Sequence, residues 1–470
     1  MSTAANEPGQ SLPPITAAGR YLILATAFLG WFCAGMQMSI TSLAMRSAAT
    51  DLLDRTAAID AGRLTEVTVL KKKIKSGVLP SKTLGDADRD AAEGWGALIG
   101  QWYSWYQCAF LFGAAAGGWM FGRLGDRIGR SKAMAASILC YSVVSAAAYF
   151  AQTPLQLLAL RFVACMGVGG MWPNGVALVS EAWSNLSRPM IAGVIGTAAN
   201  IGIFTMSTIA TKFDINPESW RWVMLVGAAP VVLGLLSLVA VPESPRWLAS
   251  RNRERAAGQR TSDTTEVFRR PLLGVTLVGI LLATIPLFGG WGSANWMVPW
   301  AEKASEEFDS ADESFKALKA QVGQARSFTG LVGSFLGGWI ASLFGRRRSY
   351  CFVSLGALFC AQFAFWFTVP TDPWFLFWVG ALGFFSGIYF GWLPLFLPEL
   401  FPTRLRSTGA GVSFNFGRII TAINIFAAGS LMIYFGENYA QLGRVTSLIF
   451  LLGMIVIWFA PDTTEKQLVD

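Results

Sequence analysis

Apolar runs long enough to cross a bilayer recur about twelve times along this chain, and no other feature restricts the fold as much. A helix spanning a hydrocarbon core about 30 Å thick needs about 20 mainly apolar residues. Windows of that kind lie near residues 20–45, 97–121, 133–151, 154–180, 189–211, 220–241, 271–297, 327–344, 349–369, 373–397, 407–433 and 443–460. The bilayer core holds no water to satisfy backbone N–H and C=O groups, so such segments are expected as helices. The predicted fold class is all-α: a polytopic membrane protein of about twelve transmembrane helices. Composition agrees, with 53% of the 470 residues hydrophobic and 14% charged, against about a quarter charged in a soluble domain.

The net charge of +8 raises the question of a nucleic-acid partner. The basic residues cluster in short loops between apolar runs, however, which is the pattern of orientation in a bilayer. Arg127, Arg130 and Lys132 fall on one side with Arg188, Arg346 to Arg348, Arg404 and Arg406. Arg246, Arg251, Arg253, Arg255, Arg260, Arg269 and Arg270 join them from the mid-chain segment. The short loops on the other side are poor in arginine and lysine. The expected location is a cell membrane, multi-pass, with both termini cytoplasmic. Residues 1–19 are polar and Pro-containing, and the apolar run after them is too long for a cleaved signal.

The chain has no histidine, and its six cysteines all sit within apolar runs. Histidine relays, Ser–His dyads and disulfide frameworks are thereby set aside. With no Walker lysine motif to bind ATP and no cluster with metal-ligand spacing, no cofactor, metal or catalytic residue is expected and an enzyme is not. The partners read from the sequence are a small-molecule substrate and the lipid bilayer, with a proton or counter-anion as an optional companion. No nucleic acid is among them, and the expected state is a monomer.

Five regions follow. A tail (1–19) precedes a first six-helix bundle (20–241) that contains an extracytoplasmic loop at 46–94; a basic linker (242–270) leads to a second bundle (271–460) and a tail (461–470). The bundles repeat. Gly122, Asp126, Gly129 and Arg130 have the same spacing as Gly338, Ser342, Gly345 and Arg346. Glu181, Arg188, Gly193 and Asn200 have the same spacing as Glu399, Arg406, Gly411 and Arg418. A duplicated six-span unit is the signature of transporters whose halves rock about a central site.

These residues resemble the major facilitator superfamily over essentially the whole chain. The hairpin Gly122 to Lys132 looks like that family's signature between spans two and three. Pro242 to Leu248, Pro398 to Gly409, Arg161 to Glu181 and Pro461 to Glu465 are similar to signatures of its sugar porters and related organic-ion transporters. The resemblance implies two pseudo-symmetric six-helix bundles and alternating access. It also implies that Asp126 and its arginines lock the halves together on the cytoplasmic side. Two departures weigh against a hexose porter. Span seven reads Phe288 to Trp296 without the paired glutamines of sugar-specific members, and span one reads Gly30 to Gln37 without the carboxylate of proton-coupled ones.

The gating candidates are Gly122, Asp126, Arg127, Gly129, Arg130, Glu181, Arg188, Gly338, Gly345, Arg346, Glu399 and Arg406. Each glutamate is placed to bond across its own hairpin or to exchange partners with arginines of neighbouring hairpins. Arg418 is the most telling position for binding. Twelve residues beyond Arg406 puts it about 18 Å into the bilayer, where a guanidinium must face a cavity or a buried partner. Gln37, Gln107, Asn174, Asn200, Asn295, Tyr389 and Asn415 add polar groups within spans, and Trp291 and Trp392 add stacking surfaces. The function read from this set is secondary transport of a small polar organic solute, either an organic anion such as a carboxylate or a sugar-like metabolite. A sugar porter proper and a non-transporting membrane solute receptor are the alternatives.

Overall fold

The computed structural model describes residues 15–75, 77–80, 83–183, 188–210, 212–213, 215–256, 264–297, 300–301, 304, 318–434 and 438–463, with a few side chains inside those ranges excepted. Among the described residues there is no strand. In the first half the helices are α1 (Ala17–Arg55), α2 (Ala61–Lys75), α3 (Asp86–Ile128), α4 (Arg130–Ala148), α5 (Pro154–Ala182), α6 (Arg188–Ala210), α7 (Trp222–Ala228) and α8 (Val231–Ala240). The linker carries α9 (Pro245–Ala256). The second half contains α10 (Leu272–Phe288), α11 (Leu318–Phe344), α12 (Arg346–Phe367), α13 (Phe375–Glu399), α14 (Arg406–Tyr434), α15 (Tyr439–Thr446) and α16 (Ile449–Val456). Among the described residues nine helical segments are long and apolar enough to cross a membrane. α10 is shorter, and α3 and α14 carry buried charges; with these three, every apolar window in the sequence has its helix.

Three windows are broken, two of them where the sequence removes a backbone donor or a side chain. Pro230 separates α7 from α8, because proline cannot donate to the preceding turn. After Phe288 the helix gives way to a π-helical turn over Gly289–Ser293 and a 3₁₀ turn over Ala294–Trp296. Pro286 and three glycines lie in or just before that stretch. The last window turns at Ser447 and Leu448, between α15 and α16.

The stretch read as a loop at 46–94 is largely helical. α1 continues ten residues beyond the window's end, because Ala48, Ala49, Leu52 and Leu53 keep its apolar face going and bury against Tyr106, Trp220 and Val223. Asp51 on the polar face accepts from the Trp220 indole at 3.0 Å and pairs with Arg221 at 3.0 Å. α2 lies against the start of α3 through Val67, Leu84 and Ala92. Arg63–Asp88 at 2.7 Å and Lys71–Glu93 at 3.1 Å tie the same two helices, in contacts open to solvent.

Within the first half α3 and α4 pack on α5, and α1 packs on α6; in the second, α11 packs on α13. The halves meet along α3 and α14 and along α6 and α11. Lipid gives helices no hydrophobic reason to associate, so close approach depends on small residues. α3 shows this on two faces. A Cβ at Gly113 or Gly117 would strike the carbonyls of Phe162 and Met166 on α5, and one at Gly122 would meet the Ser407–Thr408 backbone of α14. Gly338 on α11 stands likewise against Pro189 of α6. Large apolar side chains such as Val232, Leu235, Leu236 and Val239 of α8 stay exposed, as a lipid-facing surface requires.

Gly117→Val should therefore lower the melting temperature of the purified protein strongly, because its collision is with backbone. Gly274→Ala, whose Cβ meets nothing within 4 Å, should leave it unchanged or raise it slightly. Thermal unfolding of the two variants in detergent checks the contrast.

Candidate functional site

The hairpin between α3 and α4 turns within one residue. Gly129 has φ +114°, a backbone region that side chains avoid. α4 thus begins with no side chain at its cap position, and Glu243 of the linker fills the gap. Its carboxylate accepts from the backbone N–H of Arg130 at 2.9 Å and of Ser131 at 3.1 Å, as a helix N-terminus favours. Ser131 Oγ donates to the Val241 carbonyl at 2.9 Å, and the Trp247 indole N–H donates to the Asp126 carbonyl at 2.9 Å. Pro242 to Trp247 is in this way a lid on the hairpin. Burial pushes the Glu243 carboxyl above its ordinary value of 4.5, and the backbone N–H groups and Arg130 offset only part of that.

Beneath the lid lie four fully buried charges. Arg130 pairs with Asp126 at 3.1 Å and approaches Glu181 at 3.4 Å, and Glu181 pairs with Arg406 of the other half at 2.8 Å. Asp126 also accepts the backbone N–H groups of Ser407 at 3.2 Å and Thr408 at 2.8 Å, so a carboxylate of α3 caps α14. Arg130 donates across the same seam to the Thr403 carbonyl, and Ser407 Oγ donates to Asn174 Oδ1 at 2.7 Å. Ser244 Oγ, from the lid, donates to Glu181. In the conformation seen here, these contacts hold the halves shut at the hairpin face.

The second half repeats the parts without the crossing. Gly345 has φ +80°. Arg346 pairs with Glu399 at 2.9 Å and donates to the Ala341 carbonyl at 3.1 Å. Thr463 Oγ1 donates to Glu399 at 2.6 Å, and Arg347 donates to the Ala460 carbonyl at 2.9 Å. Residues 460–463 thus do for Glu399 what 241–244 do for Glu181. Ser342, at the place of Asp126, is exposed, so the first half alone supplies the acid that caps its neighbour.

At the centre Arg418 is 2% exposed. Its guanidinium lies over Phe110 at 5.3 Å and Phe414 at 5.5 Å, and Nη1 has no hydrogen-bond partner. Phe414 stacks on Trp172 of the first half at 4.0 Å. Gln107 donates to the Tyr103 hydroxyl at 2.8 Å and Asn415 donates to the Gly169 carbonyl at 3.1 Å, while their side-chain oxygens stay buried and unpartnered. Asn200 donates to Ser334 Oγ across the halves at 3.0 Å.

Other sequence candidates are engaged elsewhere. Gln37 donates to Ser145 Oγ and the Gly227 carbonyl, both at 2.8 Å, and its Oε1 accepts from Arg161 at 3.2 Å. Asn174 belongs to the seam at Ser407. Tyr389 bonds Ser354 at 2.8 Å, and the Trp392 indole donates to the Arg346 carbonyl at 3.1 Å between Tyr350 and Phe396. Both are packed into the second half, and Trp392 supports the hairpin arginine rather than offering a free face. Arg127 is exposed. The side chains of Arg188, Trp291 and Asn295 lie outside the described residues. Sequence reasoning did not single out Glu243, Ser244 and Thr463, Arg161, or Arg326, whose Nη1 is buried and unpartnered. The duplicated Pro-acid-Ser/Thr pattern at 242–244 and 461–463 was the available signal for the first three. An arginine inside an apolar window was the signal for Arg161.

A family model described as "Major Facilitator Superfamily" matches residues 27–424. Among curated proteins, the chain is 27% identical over 321 residues to a cis,cis-muconate transport protein of Acinetobacter baylyi, covering 67% of this chain and 74% of that one. It is 27% identical over 316 residues to a putative niacin/nicotinamide transporter of Bacillus subtilis, covering 67% and 75%. Among solved structures, the fold is similar to the proton:xylose symporter XylE bound to 6-bromo-6-deoxy-D-glucose, with TM-score 0.66, 17% identity and 97% and 98% coverage.

Two outcomes follow from the geometry. Asp126→Asn removes a partner from a fully buried ion pair, a loss of about 3–5 kcal/mol, and should open the hairpin face. Maleimide labelling of a cysteine introduced at Ser407 should become fast in that background and stay slow without it. Glu243 keeps its proton to higher pH in the fold than in the unfolded chain. Its contribution to stability is therefore present below the ordinary glutamate range and lost as pH rises through the raised value. Glu243→Gln cannot titrate, so its melting temperature should fall less than the parent's as pH rises through that interval.

Proposed function

The chain belongs to the major facilitator superfamily, and we propose that it carries a small organic anion across the membrane by alternating access. As a multi-pass membrane transporter it is not an enzyme. The observation that carries the anion reading is Arg418: a guanidinium about 18 Å from the hairpin seam, buried, resting on two aromatic rings and with a nitrogen unpartnered. A carboxylate offers that group the bidentate, charge-assisted partner it lacks, whereas a neutral sugar leaves its charge uncompensated. The solutes named for two relatives, muconate and niacin, both have carboxylate forms. The likeness to a xylose symporter supports the fold and not the cargo.

The path closes at the hairpin face through the Asp126–Arg130–Glu181–Arg406 cluster. That face is cytoplasmic by its arginine content, with both termini on the same side. Rocking of residues 20–241 against 271–460 would break the crossing bonds of Asp126 and Glu181, while Arg346–Glu399 and the linker lid remain within one half. Gln37 stands where Arg161 finds its acceptor, so that buried pair has no proton to exchange. We assign the movement to uniport or anion exchange, driven by the solute's own gradient.

Arg418→Ala should abolish thermal stabilisation by carboxylates across a broad solute screen, with the unliganded melting temperature little changed. Stabilisation of the parent protein by neutral hexoses alone would reject the anion reading. In proteoliposomes, uptake should persist unchanged when an imposed pH gradient is collapsed. Accumulation that disappears on collapse would instead require a proton site.

A further inference from the structure

This chain neutralises most of its deeply buried arginines with carboxylates. Arg130 has Asp126 and Glu181, Arg346 has Glu399, and Arg406 has Glu181. Arg161 and Arg418 depart from that rule. Arg161 is 1% exposed, yet it donates only to neutral acceptors: Gln37 Oε1 and the Gln37 carbonyl at 3.2 Å each, and Thr41 Oγ1 at 2.9 Å. Its Nε is buried without a partner, as is Arg418 Nη1. A hydrogen bond to a neutral oxygen satisfies an N–H but leaves the charge in place.

The two cations border one stretch of the path. Counting from the Glu181–Arg406 pair at 1.5 Å per residue, Arg161 on α5 lies about 30 Å away and Arg418 on α14 about 18 Å. Cys165, one turn from Arg161 on α5, falls between them at about 24 Å and faces Gly113 of α3, one turn from the Phe110 ring on which Arg418 rests. One cation comes from each half, and the internal repeat explains neither. The position matching Arg161 is Val379, and the position matching Arg418 is Asn200.

We propose that Arg161 is a second anion anchor facing Arg418, and that the solute carried is a dianion holding one acid group on each half. This rests on the organic-anion reading and narrows it. The two Cα levels differ by about 12 Å, a gap that two arginine side chains are long enough to reduce to the scale of a short diacid. Extended dicarboxylates of four to six carbons place their carboxyl carbons about 4–6 Å apart. The arrangement also couples binding to rocking. With the site empty, two like charges oppose approach of α5 and α14 along this stretch, and a bridging dianion turns that repulsion into attraction. A monoanion neutralises one side only.

The test uses the full chain in lipid nanodiscs at pH 7 and isothermal titration with succinate, adipate, butyrate and hexanoate. Each diacid should bind at least tenfold more tightly than the monoacid of equal length. Arg161→Gln should remove that preference, weakening diacids at least tenfold and monoacids less than threefold, while Arg161→Lys keeps most of it. Arg418→Gln should weaken both classes. Equal binding of diacids and monoacids by the parent protein overturns the proposal, and that comparison needs no variant to fold. So does an Arg161→Gln protein that loses both classes alike. In those cases the anion reading stands; it falls with the proposal only if no carboxylate binds the parent protein.

Discussion

Everything at the hairpin face depends on burying charge where water does not compensate it. Asp126, Arg130, Glu181 and Arg406 are each stripped of solvent. A charge so placed is tolerated only while its partners are present. Because Arg406 belongs to the opposite half, the closed arrangement tends to be complete or absent. Asp126 adds a second constraint, since its oxygens take the N–H groups at the start of α14. Separation therefore exposes a helix terminus as well as a carboxylate. Cost and cooperativity of closure arise from the same few bonds.

The segments that follow each half's last span have a shared task. Ser244 and Thr463 each donate a hydroxyl to the buried glutamate of their own half, and the carbonyls of Val241 and Ala460 each accept from the residue after the hairpin arginine. The duplication thus extends past the bundles into their tails. The asymmetry matters as much. With Ser342 in place of Asp126, and Glu399 held by Arg346 within its own half, one half presents a carboxylate and the other presents a helix terminus. A seam made of unlike parts has one register.

The spans were legible because hydropathy measures what a bilayer demands, and each window has its helix. Their ends were less so. α1 runs on to Arg55 because its polar face beyond residue 45 finds Trp220 and Arg221, partners a hydropathy window cannot see. In the site, the depth of Arg418 followed from counting residues along a helix, and the structure gives it no acidic partner among the described residues. Trp392 shows the limit of residue type as a guide. An aromatic in a span suits a ring-binding role, but only packing reveals that its N–H is committed to Arg346. Arg161 was hidden differently, since it reads as the first letter of a signature and its acceptors lie more than a hundred residues away.

The central claim is that one seam of buried ion pairs holds the hairpin face closed and yields when the central site is occupied. The most direct measurement is the distance between spin labels at Lys132 and Arg348, exposed positions on the two halves at that face, by pulsed electron resonance in nanodiscs. The account predicts a single short distance without solute, a second, longer population when a carboxylate saturates the site, and that longer population already present in Glu181→Gln without solute. One distance distribution, unchanged by carboxylate and by loss of Glu181, would contradict it.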